Sequence, residues 1–125
     1  TVDMERVHHV VPAYGFIVGE PGKKAVAYTG DTGPTDRFWE RMSSRNVKYL
    51  ITETSFPNRL EPLALASGHL TPFLLSKEIA KMPDPPERIF VMHLKPQFRQ
   101  EIEFEIQALG LDCIDFLQDG EMIEI

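Results

Sequence analysis

Carboxylate and imidazole side chains follow several apolar segments of this sequence, at positions where they could bind a divalent metal ion. Asp31 follows one such segment in Tyr-Thr-Gly-Asp-Thr-Gly-Pro, and Glu53 follows another in Leu-Ile-Thr-Glu-Thr-Ser. His93 ends a third in Val-Met-His-Leu-Lys-Pro. If these segments are neighbouring strands, their carboxyl ends meet at the edge of the sheet where sites are assembled. Imidazole nitrogen and carboxylate oxygen suit Zn²⁺, Mn²⁺ or Fe, so the pattern predicts a metal site at that edge.

The other three histidines lie in two further motifs. His8 and His9 occur in Val-His-His-Val-Val-Pro, and His69 occurs in Ser-Gly-His-Leu-Thr-Pro, just before a predicted helix. Each candidate also fits a structural role on its own. A histidine at a strand end often makes a hydrogen bond, Asp31 could cap a glycine-rich turn, and Glu53 could be solvated. The recurrence of such residues at strand ends, flanked by Gly and Pro, favours one shared site over separate structural roles.

The segments that must position these residues alternate between strand and helix in the middle of the chain, with hairpins at both ends. β-Branched and aromatic residues predict strands, the helical spacing of apolar residues predicts helices, and Gly and Pro mark the turns. The predicted strands are 6–11, 14–18, 24–29, 47–52 and 88–94, the predicted helices are 35–45, 71–82 and 97–109, and a final hairpin joins 114–117 to 122–125. This order indicates one α/β (α+β) domain over residues 1–125, built as a mixed β-sheet with flanking helices.

Composition indicates a packed globular domain with an acidic surface. Hydrophobic residues make up 42% of the chain and charged residues 26%, and the formal net charge is -6. An acidic surface repels phosphate backbones, so long nucleic acids are disfavoured as partners. Cys113 is the single cysteine, which excludes an intrachain disulfide and a cysteine-rich zinc module and favours a cytoplasmic location. No apolar run is long enough to cross a bilayer, so no membrane association is expected.

Five motifs that occur in this order resemble the later motifs of the metallo-β-lactamase superfamily, in the form found in class II cyclic-nucleotide phosphodiesterases and, more distantly, in tRNase Z. They are Val-His-His-Val-Val-Pro-Ala-Tyr-Gly-Phe, Tyr-Thr-Gly-Asp-Thr-Gly-Pro-Thr, Glu-Thr-Ser-Phe-Pro-Asn, Ser-Gly-His-Leu-Thr-Pro and His-Leu-Lys-Pro. The superfamily's signature motif, His-x-His-x-Asp-His, does not occur in the sequence. Because that motif belongs to the first half of longer chains, the resemblance implies the carboxyl-terminal half of an αββα sandwich.

A half-sandwich implies a sheet with helices on one face and an apolar opposite face. We expect Phe16, Val18 and Val26 to contribute to this open face. Such a face is normally buried by a partner, so we expect the chain to need a missing amino-terminal half or a second copy of itself. The sequence begins with Thr1 rather than Met, which predicts a processed or truncated start.

The resemblance also implies a cofactor and a role for each candidate residue. The cofactor would be two divalent metal ions, with Zn²⁺ the first choice and Mn²⁺ or Fe the alternatives. His9 would bind one ion, Asp31 would bridge both ions in the catalytic centre, and His93 would bind the second ion. His69 would act as general acid toward the leaving alkoxide, and Glu53 would orient its imidazole.

The resemblance implies a phosphodiester hydrolase that attacks 3′,5′-cyclic nucleotides with a hydroxide bridging the two ions, so a small-molecule nucleotide is the expected substrate. The alternatives are tRNA 3′ processing, another metallo-β-lactamase-fold hydrolase, and a truncated fragment without catalysis. The best-known tRNase Z forms insert a long tRNA-gripping arm before the Gly-Asp-Thr motif, whereas this sequence has only the turn at 19–24 there. Leu70 stands where the tRNase Z pattern has a small hydroxyl residue, which also favours the phosphodiesterase form. His8 matches no ligand, and Lys95 fits either neutralisation of phosphate or a solvated position.

Overall fold

The computed structural model describes residues 1–92 and 94–124, so the candidate ligand His93 lies outside the described residues. The strands are β1 (Val2–Val7), β2 (Ala13–Val18), β3 (Ala25–Tyr28), β4 (Val47–Glu53), β5 (Arg88–Met92) and β6 (Ile114–Phe116). The helices are α1 (Arg37–Ser43), α2 (Glu61–Ser67), α3 (Pro72–Ala80) and α4 (Arg99–Ala108), with short 3₁₀ turns at Asn58–Leu60 and Pro96–Phe98. None of the described helices has the length and apolar character that crossing a bilayer requires.

The strands form one mixed sheet in the order β1-β2-β3-β4-β5-β6. The first three strands pair antiparallel, whereas β3, β4, β5 and β6 pair in parallel. The parallel strands are joined by crossovers that contain α1, then α2 and α3, then α4. This pairing brings the carboxyl ends of β3, β4 and β5 to one edge of the sheet. The predicted α/β class, a mixed sheet with flanking helices, is therefore confirmed.

One face of the sheet forms the core together with the helices. Its main contributors are Ile17, Ala27, Leu50, Ile89 and Val91 from the strands and Phe38, Met42, Leu75, Ile79 and Ile102 from the helices. Gly15 allows α1 to approach the sheet closely, because a Cβ at this position would lie 2.4 Å from Cε2 of Phe38. Helix α3 begins as its sequence predicted, since the Thr71 hydroxyl accepts a hydrogen bond from the backbone N–H of Leu74 at 3.2 Å.

The opposite face carries a continuous apolar row that lies outside this core. Cross-strand pairing aligns five side chains in the row from β1 to β5: Met4, Phe16, Tyr28, Ile51 and Phe90. The exposed fraction ranges from 7% at Phe90 to 61% at Met4, and Val18 in the neighbouring row is 49% exposed. The described residues thus include the open apolar face expected of a half-sandwich, with Phe16 and Val26 half-buried on it.

The first strand and the second helix differ from the sequence-based expectation. β1 ends at Val7 rather than at residue 11, because the carbonyl of His8 accepts a hydrogen bond from the backbone N–H of Gly33 at 2.7 Å. Helix α2 was not predicted. Its Leu63 and Leu65 are exposed, so the segment lacks the helical spacing of buried apolar residues that reveals the other helices.

The predicted hairpin at the carboxyl-terminal end is wrong over the described residues. Strand β6 forms at the predicted place, but it pairs in parallel with β5, with Ile89 opposite Ile114. A turn follows around Gly120, whose φ of 82° is in the left-handed region. Residues 121–124 form no strand, and Ile125 lies outside the described residues. The turn chemistry was therefore predicted correctly, but the returning strand was not.

Candidate metal site

Three candidate residues converge at the edge formed by the carboxyl ends of the parallel strands. Asp31 lies three residues after β3, Glu53 is the last residue of β4, and His69 lies in the loop between α2 and α3. One potential ligand atom from each of the three lies within 4.8 Å of the other two. An imidazole nitrogen together with carboxylate oxygens suits a divalent ion such as Zn²⁺, Mn²⁺ or Fe²⁺, so this donor set fits a metal site.

Glu53 is fully buried, and both of its carboxylate oxygens accept hydrogen bonds. Oε1 accepts from the backbone N–H of Thr32 at 3.0 Å and from Nδ1 of His69 at 2.7 Å. Oε2 accepts from the hydroxyl of Ser55 at 2.8 Å and from the backbone N–H of Leu70 at 3.4 Å. Because both oxygens are engaged, Glu53 is better suited to orienting the imidazole of His69 than to binding a metal ion itself.

The imidazole of His69 is held with Nδ1 toward Glu53. A carboxylate only accepts hydrogen bonds, so the proton of this contact belongs to Nδ1 and the other nitrogen, Nε2, remains for chemistry. The hydrogen bond from His69 to Glu53 raises the pKa of His69 above its usual value near 6.5, although burial opposes the shift. The negative charges of Glu53 and Asp31 raise this pKa further, and the positive charge of Lys95 lowers it. The net effect favours a protonated imidazole.

His9 lies against the same loop. Its Nδ1 donates a hydrogen bond to the carbonyl of Gly68 at 2.8 Å, which leaves Nε2 as the nitrogen available to a metal ion. The rings of His9 and His69 meet edge to face, with 5.0 Å between their centroids. Gly68 has a φ of 72°, and a Cβ there would lie 2.8 Å from Nδ1 of His9. The close contact between His9 and this loop therefore requires glycine.

Comparison with known proteins gives matches in structure but not in sequence. No protein-family model and no curated protein matches the chain. The metallo-β-lactamase fold protein YhfI from Bacillus subtilis matches 98% of this chain at 18% identity, with a TM-score of 0.78. The short form of human tRNase Z matches 99% at 20% identity, and unliganded yeast PDE1 matches 95% at 21% identity, both with a TM-score of 0.74. The chain has a metallo-β-lactamase fold.

The matched region is only a part of each of these structures. The chain spans about half of their length, namely 42% of human tRNase Z, 44% of yeast PDE1 and 49% of YhfI. The resemblance of the sequence motifs to the metallo-β-lactamase superfamily thus predicted the fold correctly.

Within this metallo-β-lactamase fold, the candidate residues from three separate motifs lie together. Asp31, Glu53 and His69 form one cluster, and His9 contacts the loop that carries His69. His93 lies outside the described residues. The exposed His8 contributes its backbone carbonyl, which accepts a hydrogen bond from Gly33, rather than a ring nitrogen.

Sequence reasoning missed the residues that hold this cluster in place. Thr32 and Ser55 donate hydrogen bonds to Glu53, and Gly68 accepts one from His9. Each of them lies in the same sequence motif as a candidate residue: Thr32 follows Asp31, Ser55 is two residues after Glu53, and Gly68 precedes His69. The sequence feature that could have identified them is a small polar residue or a glycine close to each candidate residue.

Proposed function

We propose that this chain provides part of the active site of a metal-dependent phosphodiester hydrolase that acts on 3′,5′-cyclic nucleotides. The observation that carries the proposal is the contact between Glu53 and His69 beside Asp31, where an oriented imidazole adjoins a carboxylate able to bind metal. The likeness of the fold to yeast PDE1 supports the reaction class.

Two divalent metal ions are the proposed cofactor, with Zn²⁺ the first choice and Mn²⁺ or Fe the alternatives. Asp31 suits contact with both ions because a carboxylate has two oxygens, and His9 would bind through Nε2. His93 is the further proposed ligand. Divalent ions in such a site lower the pKa of bound water and stabilise the charge that develops on phosphoryl oxygens.

His69 is the proposed general acid. Hydrolysis breaks the bond between phosphorus and the ester oxygen of the sugar, and the departing alkoxide must gain a proton. His69 would donate it from Nε2, because Nδ1 is engaged with Glu53. The hydrogen bond to Glu53 raises the pKa of His69 and so favours the protonated form that an acid needs. General acid catalysis of this kind contributes roughly 10²- to 10⁴-fold to the rate.

A small nucleotide is a better substrate for this chain than tRNA. The connection between β2 and β3 is a short turn with no arm that could grip a large RNA. The formal net charge of -6 also opposes association with a phosphate backbone. The likeness to human tRNase Z makes tRNA 3′ processing the second candidate, and cleavage of a tRNA precursor in preference to cyclic AMP would favour it.

The other half of a metallo-β-lactamase fold is the proposed cover for the open face of the sheet. The apolar row from Met4 to Phe90 supports this proposal, and so does the length of the matched structures, which is about twice that of the chain. Sedimentation of the isolated chain tests it, because an uncovered apolar face should cause self-association or binding of a hydrophobic dye. A well-defined symmetric dimer would identify a second copy as the cover instead.

The function is tested with the variant His69→Ala in the Zn²⁺-loaded assembly of this chain with the proposed other half of the fold. The variant should retain its metal and lose about 10²- to 10⁴-fold in turnover of cyclic AMP, whose leaving alkoxide needs a proton. It should be nearly as active as the parent on bis(p-nitrophenyl) phosphate, because a nitrophenolate leaves without one. His8→Ala is the matched control, since His8 is exposed beside the site and matches no ligand.

Two outcomes would contradict the assignment. If His69→Ala loses its metal or slows both substrates equally, His69 is a metal ligand or a structural residue rather than the acid. If the assembled parent binds no Zn²⁺ and cleaves neither ester, the non-catalytic alternative replaces the hydrolase.

A further inference from the structure

Lys95 differs from most basic residues of the chain in its surroundings. Three lysines form no ion pair within the described residues and lie over aromatic rings instead: Lys48 over Tyr49, Lys77 over Phe73 and Lys95 over Phe56. Lys95 alone of these three is beside the candidate metal site. Its ammonium nitrogen lies 5.2 Å from the centroid of the Phe56 ring.

The ring of Phe56 connects Lys95 to His69. Its centroid lies 5.8 Å from the centroid of the His69 ring, in an edge-to-face arrangement. The ring of Phe56 therefore lies between the ammonium group of Lys95 and the imidazole of His69, next to the carboxylate cluster.

The position of the lysine is fixed by its neighbours. The Lys95 carbonyl accepts a hydrogen bond from the backbone N–H of Phe98 at 2.9 Å, within the 3₁₀ turn that Pro96 begins. The ring of Phe98 packs beside that of Phe56, with 6.2 Å between their centroids. An ammonium group that lies over a ring, without a carboxylate partner in the described parts of the chain, is available to bind an external anion.

We propose that Lys95 binds the negatively charged group of the substrate and selects anionic esters over neutral ones. The inference rests on the proposed hydrolase function and names the specificity of the same site. An ammonium group offers three donors and one positive charge to a phosphoryl oxygen, whereas a neutral carboxylic ester offers no charge to bind.

The test compares Lys95→Met with Lys95→Arg in the same Zn²⁺-loaded assembly of this chain with the proposed other half of the fold. Methionine keeps an apolar stem over Phe56 and removes the charge. Lys77→Met is the matched control, because Lys77 also lies over a phenylalanine ring, with 4.6 Å between its ammonium nitrogen and the ring centroid, but away from the site. The substrates are bis(p-nitrophenyl) phosphate, an anion, and p-nitrophenyl acetate, which is neutral.

Lys95→Met should raise KM for the phosphate diester by about 10- to 100-fold, as expected for a lost hydrogen bond to a charged group, and leave KM for the acetate unchanged. Lys95→Arg should retain most of the affinity, and Lys77→Met should match the parent on both esters. An unchanged KM for the diester in Lys95→Met, or an equal loss on both esters, would overturn the proposal.

Binding of inorganic phosphate, measured by calorimetric titration of the Zn²⁺-loaded proteins, provides a readout that does not depend on turnover. Lys95→Met should weaken this binding by a similar factor, and Lys77→Met should not. If the parent hydrolyses neither ester, the proposed function fails, and the phosphate titration alone decides whether Lys95 binds anions. Equal phosphate affinity in Lys95→Met and Lys77→Met would then overturn the assignment of Lys95.

Discussion

Replacing Glu53 by Gln should lower both the stability of the fold and the pKa of His69. The buried carboxylate accepts two donors on each oxygen. The single oxygen of Gln can serve Thr32 and His69, but its amide NH₂ then faces Ser55 and Leu70. The hydroxyl of Ser55 can rotate to accept a hydrogen bond, whereas the backbone N–H of Leu70 cannot. One unsatisfied buried donor and the loss of charge in the bond to His69 together cost roughly 2–4 kcal/mol.

The loss of stability in Glu53→Gln should depend on pH, because it depends on the protonation of His69. The pKa of His69 is raised in the folded chain above its usual value near 6.5, mainly by the hydrogen bond to Glu53. The stabilisation from this pair is therefore fully present below about pH 6.5 and is lost as the pH rises through the folded-state pKa of His69. The difference in unfolding free energy between the parent and Glu53→Gln should be larger at about pH 5.5 than at about pH 8.5.

Urea denaturation at the two pH values measures the stability, and NMR titration of the His69 ring protons measures its pKa. Both use the metal-free chain, so that no bound ion alters the titration. Glu78→Gln is the matched control. Glu78 is a second buried carboxylate, which accepts hydrogen bonds from the backbone N–H of Thr35 at 2.6 Å and from Nε1 of Trp39 at 3.1 Å. This control should destabilise the chain without changing the titration of His69.

Two results would refute the reasoning about Glu53. If His69 titrates at the same pH in the parent and in Glu53→Gln, the contact does not set its pKa. If the stability difference is the same at both pH values, the charge of the pair contributes nothing to the fold.

Three further substitutions probe the metal site, the loop beside it and the open face. Asp31→Ala should lose bound Zn²⁺ and hydrolysis together, measured by metal analysis and turnover; retention of full metal content would remove Asp31 from the ligand set. Gly68→Ala should cost about 1–3 kcal/mol in urea denaturation, because its φ is 72° and a Cβ would lie 2.8 Å from the His9 Cα. Gly22→Ala, at a φ of 76° with open space around it, should cost less, and equal costs would exclude the contact with His9 as the cause. Phe16→Glu should reduce dye binding and self-association in sedimentation, and unchanged association would mean that the open face is not the contact surface.

Much of the fold was predictable because the sequence features that indicate each strand and helix lie within that strand or helix. The apolar segment that ends in Glu53 and the helix that begins after Thr71 each carry their own pattern and cap. The alternation of such segments predicts parallel strands joined by helices, and parallel strands place their carboxyl ends at one edge. The sequence therefore predicts that Asp31 and Glu53 lie close together, and the structure places them in one cluster.

Other features were not predictable because they depend on contacts between distant parts of the chain. The end of β1 is set by Gly33, which is 25 residues from its acceptor, the carbonyl of His8. The two pairs of donors on Glu53 come from three different loops, and nothing in the local sequence tells which backbone N–H groups will face a buried carboxylate. Helix α2 buries little beyond Ala64, so its sequence carries no amphipathic pattern.

The hydrogen bonds within the site explain how one part of a metal site can be formed before any ion binds. Glu53 fixes His69, Gly68 fixes His9, and the carbonyl of His8 fixes Gly33 in the loop that follows Asp31. Neither imidazole uses its Nε2 in these contacts, and Nε2 is the nitrogen that a metal ion or a substrate would need. The orientation of the proposed acid therefore belongs to this chain alone. Metal affinity, in contrast, should depend on the ligands that the proposed other half of the fold adds. Because an ion that binds only the folded state stabilises it, joining this chain to the proposed other half should raise metal affinity and stability together. In the metal-free protein, the pKa of His69 should still be lower in Glu53→Gln than in Glu78→Gln.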